Sequence, residues 1–396
     1  MFDVAIVGAG PAGSACALAL RAHAPSLSIA LIESSHFDAP RLGETLPPAA
    51  RTLLEHLGVF DTFRASGHRE VHGTAAAWGA PQAYDNDFLF FARGAGWHLD
   101  RAAFDAMLAR EAEVRGVTLM AGTAVREARR VDGKWLLECP APSAQRPVPS
   151  AQRPVPSAQR PDEDSPGHWA LGAGRWNARF LVDATGNAAL ATRACGARFV
   201  AIDHLVSFTR FYDEAGEGDP RTLVEAFDDG WWYTAALPSG GRVIACMTDA
   251  DIARQMRLSE TESWCRALDA MPLIGAIARN AAGGGPIVAR STESRRLAPA
   301  AGDDWLAVGD AASRFDPLSS QGITKALRGG IFAAYAIGDL IERHDDRGLR
   351  AYDRFICAEF EAYDQARARQ YGDERRWMQN EFWKRRSGPV CVASSS

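Results

Sequence analysis

Gly8, Gly10 and Gly13 stand at GxGxxG spacing between an apolar run, Val4–Val7, and a helix-forming stretch, Pro11–Ala22. In that setting glycine allows a tight turn and a close backbone approach to a pyrophosphate. The helix start behind the turn offers N–H groups and a favourable dipole to phosphate. Glu33 ends the next apolar run, Ser28–Ile32, at about the 20-residue distance where a carboxylate can hold ribose hydroxyls. The turn alone leaves FAD, NAD and weaker readings open.

A distant segment narrows the choice. WLAVG at Trp305–Gly309 reads as a buried strand and runs into Asp310-Ala311-Ala312, then into FDPLSSQGITKAL at Phe315–Leu327. Asp310 at a strand end can accept hydrogen bonds from a hydroxyl chain such as ribityl, or it can cap a helix. Ser319-Ser320-Gln321-Gly322 opens a helix through Lys325, with Pro317 stiffening the approach, and such a helix start would stabilise the anion on a reduced flavin's pyrimidine edge. The two halves together argue for FAD.

Acid and base candidates are few. His98 precedes Arg101 at a strand-to-helix junction, as a cap or a catalytic group. Glu44 is a proton relay or the cap of a helix near Pro47. Asp316, joined to Pro317, could activate an indole N–H or a phenol beside the ring, or simply make a turn. Trp78, Trp97, Trp231, Trp232 and Tyr233 could wall an apolar chamber or belong to the core. Trp78, Trp232 and Tyr233 are the expected substrate-lining residues.

The elements that must position these groups read as follows. Val4–Val7, Pro11–Ala22 and Ser28–Ile32 form a βαβ unit, followed by helices at Pro47–Leu57 and Arg101–Arg115, ended by Gly58 and Gly116. Val71–Ala92 resembles strands of a separate sheet. Lys134–Cys139 and His168–Leu171 would pair as a hairpin, but SAQRPVP at Ser143–Pro149 recurs at Ser150–Pro156 and, as SAQRP, at Ser157–Pro161. This proline-rich insertion is expected to be extended or disordered. Phe180–Ala184 re-enters the first sheet, and Val200–Val288 alternates strand-like runs with one helix signal near Glu260–Leu268. The C-terminal ERRWMQNEFWKRR, Glu374–Arg386, reads as a packed tail. The fold class is therefore α/β: a Rossmann-like FAD-binding domain (1–72, 97–186 and 296–345, with the repeat insertion at 140–167), an inserted antiparallel-sheet substrate domain (73–96 and 187–295), and a C-terminal helical region (346–396).

Composition sets outer limits. The 396 residues are 47% hydrophobic and 23% charged, with a net charge of −5 and scattered basic residues, so a nucleic-acid partner is not expected. Seven cysteines form no CxxC pair and no Cys/His ligand spacing, arguing against zinc or a disulfide framework. There is no secretory signal pattern, and runs such as Ile331–Ile341 are too short to span a bilayer, so a cytoplasmic location is expected. No second glycine-rich βαβ unit occurs, because Gly283–Gly285 is followed by Pro286 and a strand signal. Electrons would come from transiently bound NAD(P)H or from a separate reductase.

VGAGPAG, FLVDATG at Phe180–Gly186 and AVGDAA at Ala307–Ala312 resemble the signature segments of the para-hydroxybenzoate-hydroxylase-type flavoproteins, over nearly the whole chain. The resemblance implies an FAD-contacting set of Gly8, Gly10, Ala12, Gly13, Glu33, Ser34, Arg41, Arg101, Val125, Gly309, Asp310, Pro317, Gln321, Gly322 and Ile323. GETLPPAA at Gly43–Ala50, GWHLDRAAFD at Gly96–Asp105, FDPLSSQGITKAL, and ERRW followed by FWKRR are similar to a narrower group. These are halogenase-like monooxygenases that hydroxylate a protein tryptophan during cysteine tryptophylquinone maturation in quinohemoprotein amine dehydrogenases and lysine-oxidase-type enzymes. True halogenases of this superfamily rely on a lysine after the GETLPP-like segment, yet no lysine occurs between Gly43 and Gly133. Their WxWxIP pattern is matched only by GWWYTAALP at Gly230–Pro238, with Tyr233 in place of the second tryptophan.

The resemblance therefore implies an FAD-dependent monooxygenase that takes molecular oxygen and hydroxylates an indole, most simply a peptidyl tryptophan in a polypeptide substrate. The oxygen donor would be a flavin C4a-hydroperoxide kept dry by the protein. The alternatives are a flavin reductase or dehydrogenase acting on an isoprenoid or pyrrolic small molecule, a halogenase-like enzyme, and an assembly factor in which FAD is structural.

Overall fold

A computed structural model of the chain describes residues 1–38, 41, 43–88, 94–139, 174–213 and 221–386; the SAQRP repeat and the expected strand His168–Leu171 lie outside them. The first sheet runs in the order Ala301–Gly302, Trp305–Ala307, Gly174–Asp183, Phe2–Val7, Ile29–Ile32, Thr118–Met120. All pairs after the first are parallel. Strands such as Ile29–Ile32, buried at every position, suit a parallel sheet covered on both faces.

Gly174–Asp183 is one ten-residue strand, where the sequence suggested a short strand at Phe180–Ala184. Its polar first half pairs antiparallel with Lys134–Cys139, and its apolar second half pairs parallel with Phe2–Val7. The half-exposed part carries no apolar run, which hid it from pattern reading.

The helices Pro11–His23 and Gly322–Arg343 pack tightly together. A Cβ on Gly330 would lie 2.4 Å from the Ala12 carbonyl oxygen, so glycine is what permits this approach.

The second sheet has seven strands in the order Val288–Ser291, Leu205–Tyr212, Arg242–Asp249, Gly230–Ala236, Thr222–Phe227, Gly73–Ala77, Tyr84–Asp87. Only the Thr222–Phe227 and Gly73–Ala77 pair is parallel. Three helices, Ala250–Met256, Thr261–Asp269 and Ile274–Ala278, follow Asp249 where one was expected. Strand alternation sorts the side chains into two layers. Trp232, Ile244 and Cys246 pack with Trp264 and Leu268 of the helices, whereas Trp231, Tyr233, Ala245 and Met247 pack with Trp78, Leu318, Tyr371, Phe382 and Trp383. Trp232 and Tyr233 thus face opposite sides of the sheet. They cannot line one chamber together, which corrects the expectation for Trp232.

After the 26-residue helix Arg347–Gly372 the chain folds back over the second layer. Trp78 Nε1 donates to the Gln370 carbonyl at 2.8 Å, Trp383 Nε1 donates to the Phe227 carbonyl at 2.9 Å, and Arg386 Nη2 meets Asp249 Oδ1 at 2.6 Å. The tail is a packed element, as its mixture of aromatic and charged residues indicated.

Candidate flavin site and active centre

At the first turn, backbone meets backbone. Gly8 has φ 107°, and a Cβ there would sit 2.3 Å from the Ala184 carbonyl oxygen; a Cβ on Gly13 would sit 1.9 Å from the Gly8 carbonyl oxygen. Gly10 differs, because a Cβ there would meet nothing within 4 Å. It N-caps the helix Pro11–His23, which has no side-chain cap, so the orphan N–H groups of its first turn point toward that open space. This is a cradle of the kind a pyrophosphate fills.

Glu33 lies beside it, 6% exposed. Its Oε2 accepts the Ala9 N–H at 2.9 Å; its Oε1 accepts the Ser35 N–H at 3.0 Å, the Ser35 hydroxyl at 2.7 Å and Arg41 Nη2 at 3.2 Å. Burial works to raise its pKa, but these hydrogen bonds and the Arg41 charge override it and hold the carboxyl below its ordinary range. Arg41 Nη1 reaches the buried Asp105 at 2.9 Å, which also takes Arg101 at 3.2 Å, and Arg101 Nη1 donates to the Gly43 carbonyl at 3.2 Å. Ser34 touches the Glu33 carboxylate only at 3.5 Å. Val125 is half-buried against the core, two residues past Thr123, whose N–H donates to the Glu33 carbonyl.

The far half closes on this one. Gly309 has φ 63°, and a Cβ there would come 2.7 Å from the Ala12 methyl. Asp310 keeps 45% of its side chain exposed. Burial works to raise its pKa; the charges of Lys325 and Arg314 prevail and lower it. Lys325 is 2% exposed, with Nζ 3.1 Å from Asp310 Oδ1, bonded also to the Ser313 carbonyl and lying 4.9 Å over the Phe315 ring. Pro317 opens a single turn, Pro317–Ser319, and Ser320 then adopts a left-handed conformation, so the long helix begins at Gly322 and not at Ser319. Gln321 and Gly322 are exposed, Ile323 is buried, and the helix start has no side-chain cap.

Glu44 is buried, accepting the Gly43 N–H at 3.1 Å and the Tyr233 hydroxyl; burial raises its pKa against those bonds and the Arg101 charge. His98 is fully buried, its Nε2 3.0 Å from Thr222 Oγ1, which lies 2.9 Å from Thr45 Oγ1. Burial pushes the imidazole down to about 4, so His98 is neutral near pH 7 and ties the strand Gly96–His98 to the second sheet.

Asp316 is also placed differently from the expectation of a base beside the ring. Its Oδ1 accepts the Leu318 N–H at 2.9 Å, its Oδ2 accepts the Tyr371 hydroxyl at 2.7 Å with Arg367 Nε at 3.7 Å, and its own N–H donates to Tyr363 Oη at 2.7 Å. Tyr371 Oη in turn accepts Trp231 Nε1 at 3.0 Å. The carboxylate is committed to holding the Pro317 turn against the C-terminal helix. Trp78 stacks edge-on with Tyr371 and Trp383 in the same layer, and Trp232 stacks edge-on with Trp264 beneath the helices.

Sequence reading missed Arg314, 5% exposed and bonded to Asn187 and to the Ser291 carbonyl, and it missed Tyr363, Tyr371 and Arg367. The DATG segment and the aromatic tail were visible, but not the bonds from Asn187 to Arg314 or from Tyr363 and Tyr371 to Asp316. Among the described residues no group of three or more His, Cys, Asp or Glu side chains could hold a metal ion, and no helix is long and apolar enough to cross a membrane.

Residues 3–93 match the family described as tryptophan halogenase. The chain is 28% identical over 390 residues to the putative FAD-dependent oxidoreductase LodB of Marinomonas mediterranea, spanning 97% of this chain and 96% of that protein. Several other relatives carry halogenase names. Among solved structures, the myxobacterial chondrochloren halogenase CndH superposes with a TM-score of 0.81 at 21% identity, covering 99% of this chain and 87% of that one. The peptidyl tryptophan dihydroxylase QhpG, described as essential for tryptophylquinone cofactor biogenesis, superposes with a TM-score of 0.73 at 23% identity, covering 98% and 79%. The chain thus shares its fold with the flavin-dependent halogenases and resembles, in sequence, both proteins of that name and an FAD-dependent oxidoreductase.

Proposed function

We propose that this protein is an FAD-dependent monooxygenase that hydroxylates an indole, a peptidyl tryptophan on its way to a tryptophylquinone. Bound FAD would supply the oxygen chemistry once reduced by NAD(P)H or a reductase. The open space at Gly10, the half-exposed Asp310 and the uncapped helix start at Gln321–Ile323 fit pyrophosphate, ribityl and pyrimidine edge respectively. Glu33, oriented by Ser35 and Arg41, suits the adenosine ribose. Glu44 and Tyr233 hold a proton between them on the substrate side.

One observation carries hydroxylation over halogenation. Lys325, the lysine of the flavin-side helix, is buried and bound to Asp310 and Ser313. Its ammonium is not free to manage hypohalous acid, and the chain supplies no lysine between Gly43 and Gly133. The test is to incubate reduced enzyme, oxygen and a tryptophan-bearing partner polypeptide and to weigh the products. A gain of one or two oxygen atoms supports the reading; tightly bound FAD with no oxygen incorporated refutes it.

The tryptophan halogenase match and the relatives' names favour a second reading, halogenation. The same assay run with chloride or bromide separates the two by the atom gained.

A further inference from the structure

We infer that the cavity between Arg64, Glu70 and Trp97, on the face of a small sheet turned away from the second sheet, is a binding site for an α-amino acid zwitterion with an apolar side chain. It goes beyond the proposed function and does not depend on it.

Register places the site. In the three-stranded sheet Thr45–Leu46, Gly96–His98, Arg69–Val71, Trp97 lies opposite Leu46 and Glu70, and His98 lies opposite Thr45 and Arg69. Opposite residues share a face and successive residues alternate, so Trp97 and Glu70 point away from the side on which His98 meets Thr222. The short helix Phe60–Ala65 packs there, with the Trp97 ring centroid 6.0 Å from Phe60 and 5.2 Å from Phe63, edge-on to both. Between this helix, the strands and Gly94 opens a cavity of about 390 Å³ lined by Arg51, Phe60, Arg64, Glu70 and Trp97. That is the size of a small-molecule site. A Cβ on Gly94 would meet nothing within 4 Å, so the chain leaves this rim open.

The charges on its walls select the ligand. Arg51 lies 4.9 Å over the Phe60 ring and its Nε donates to Glu55 at 2.8 Å, so that guanidinium is engaged. Arg64 stands one turn beyond Phe60 on the same helix face, and Glu70 comes from the strand opposite Trp97. Neither has an ion-pair or hydrogen-bond partner among the described residues, and they do not bond to each other across the cavity. One free guanidinium and one free carboxylate, held apart on the walls of one space, match a molecule that carries both opposite charges. The guanidinium fork receives a carboxylate, Glu70 receives an ammonium, and the rings of Phe60 and Trp97 receive the apolar side chain. A simple anion would lie against Glu70 and a simple cation against Arg64, so each is disfavoured by a like charge.

The test is equilibrium dialysis of the FAD-loaded chain against three probes: L-phenylalanine, phenylpropionate, which lacks the ammonium, and phenethylamine, which lacks the carboxylate. Wild type should hold L-phenylalanine at least about tenfold more tightly than either analogue, the equivalent of one charge-assisted hydrogen bond. Arg64→Gln should abolish the preference over phenethylamine alone, and Glu70→Gln the preference over phenylpropionate alone. Both side chains are exposed, so the melting temperature should hold in each variant and a loss of binding is not a loss of fold. No saturable binding of L-phenylalanine up to about 1 mM, equal retention of all three probes, or binding that neither substitution changes would each overturn the site. Oxygen incorporation enters none of these readouts, so the monooxygenase reading stands or falls separately.

Discussion

Replacing Tyr371 by phenylalanine removes one oxygen from a fully buried position and breaks two hydrogen bonds. Tyr371 donates to Asp316 Oδ2 at 2.7 Å and accepts Trp231 Nε1 at 3.0 Å. A hydrogen bond to a charged acceptor contributes about 1.5–3 kcal/mol, and a buried donor left unpaired, here the indole N–H, costs about 1–3 kcal/mol. The two are coupled through one oxygen and do not add fully, so the expected destabilisation is about 3 kcal/mol. Urea unfolding of the FAD-loaded chain, followed by tryptophan fluorescence, measures it as a drop in midpoint at unchanged slope. Tyr335→Phe is the control: that hydroxyl pairs with His56 at 2.7 Å on the surface, where substitutions typically stay within about 0.5 kcal/mol. A loss below about 1 kcal/mol for Tyr371→Phe, or equal losses for both variants, would refute the view that Asp316 is an organising hub tying the Pro317 turn to the C-terminal helix.

Three further predictions concern the cofactor halves and pH. Gly13→Ala should lower both the melting temperature of the apoprotein and FAD retention, because its Cβ collides with the Gly8 carbonyl, whereas Gly10→Ala should lower FAD retention alone; equal behaviour would remove the cradle. Asp310→Asn should raise the FAD dissociation constant roughly ten- to hundredfold in equilibrium dialysis, the equivalent of about 1.5–3 kcal/mol, and unchanged affinity would exclude Asp310 from the ribityl contact. His98 has a folded pKa of about 4 against 6.5 for the free side chain. The unfolded chain therefore binds the proton first, and the stability contributed by neutral His98, present above pH 6.5, is lost as pH falls toward 4. That loss amounts to about 3 kcal/mol. His98→Gln should flatten the urea midpoint between pH 6.5 and 4; an identical slope in the variant would show that His98 does not titrate there.

What could be read from the chain and what could not divides along one physical line. The strand, glycine turn and helix at residues 2–23 are written in adjacent residues, as is the acid at the end of Ile29–Ile32, and these appeared where expected. Gly174–Asp183 was half missed because its first half is an exposed strand without apolar alternation. Trp231, Trp232 and Tyr233 show the limit more sharply. Their consecutive order makes opposite faces certain once the strand is known, yet nothing local says which face meets the Pro317 turn; the C-terminal tail and the three helices decide it. Asp316 was read as a candidate base because its partners, Tyr363 and Tyr371, lie about fifty residues away and carry no spacing signature.

The contact of Gly330 with Ala12 bears on how the protein is made. The helix Pro11–His23 buries its apolar side against Gly322–Arg343, a partner synthesised some three hundred residues later. At about 5–20 residues per second, that face waits roughly 15–60 seconds on the ribosome without its cover. Neither half can complete a dinucleotide site before then, so cofactor loading belongs to the end of synthesis. During the wait the first βαβ unit is the segment most in need of a chaperone, and a supply of FAD cannot rescue it until Gly330 has emerged.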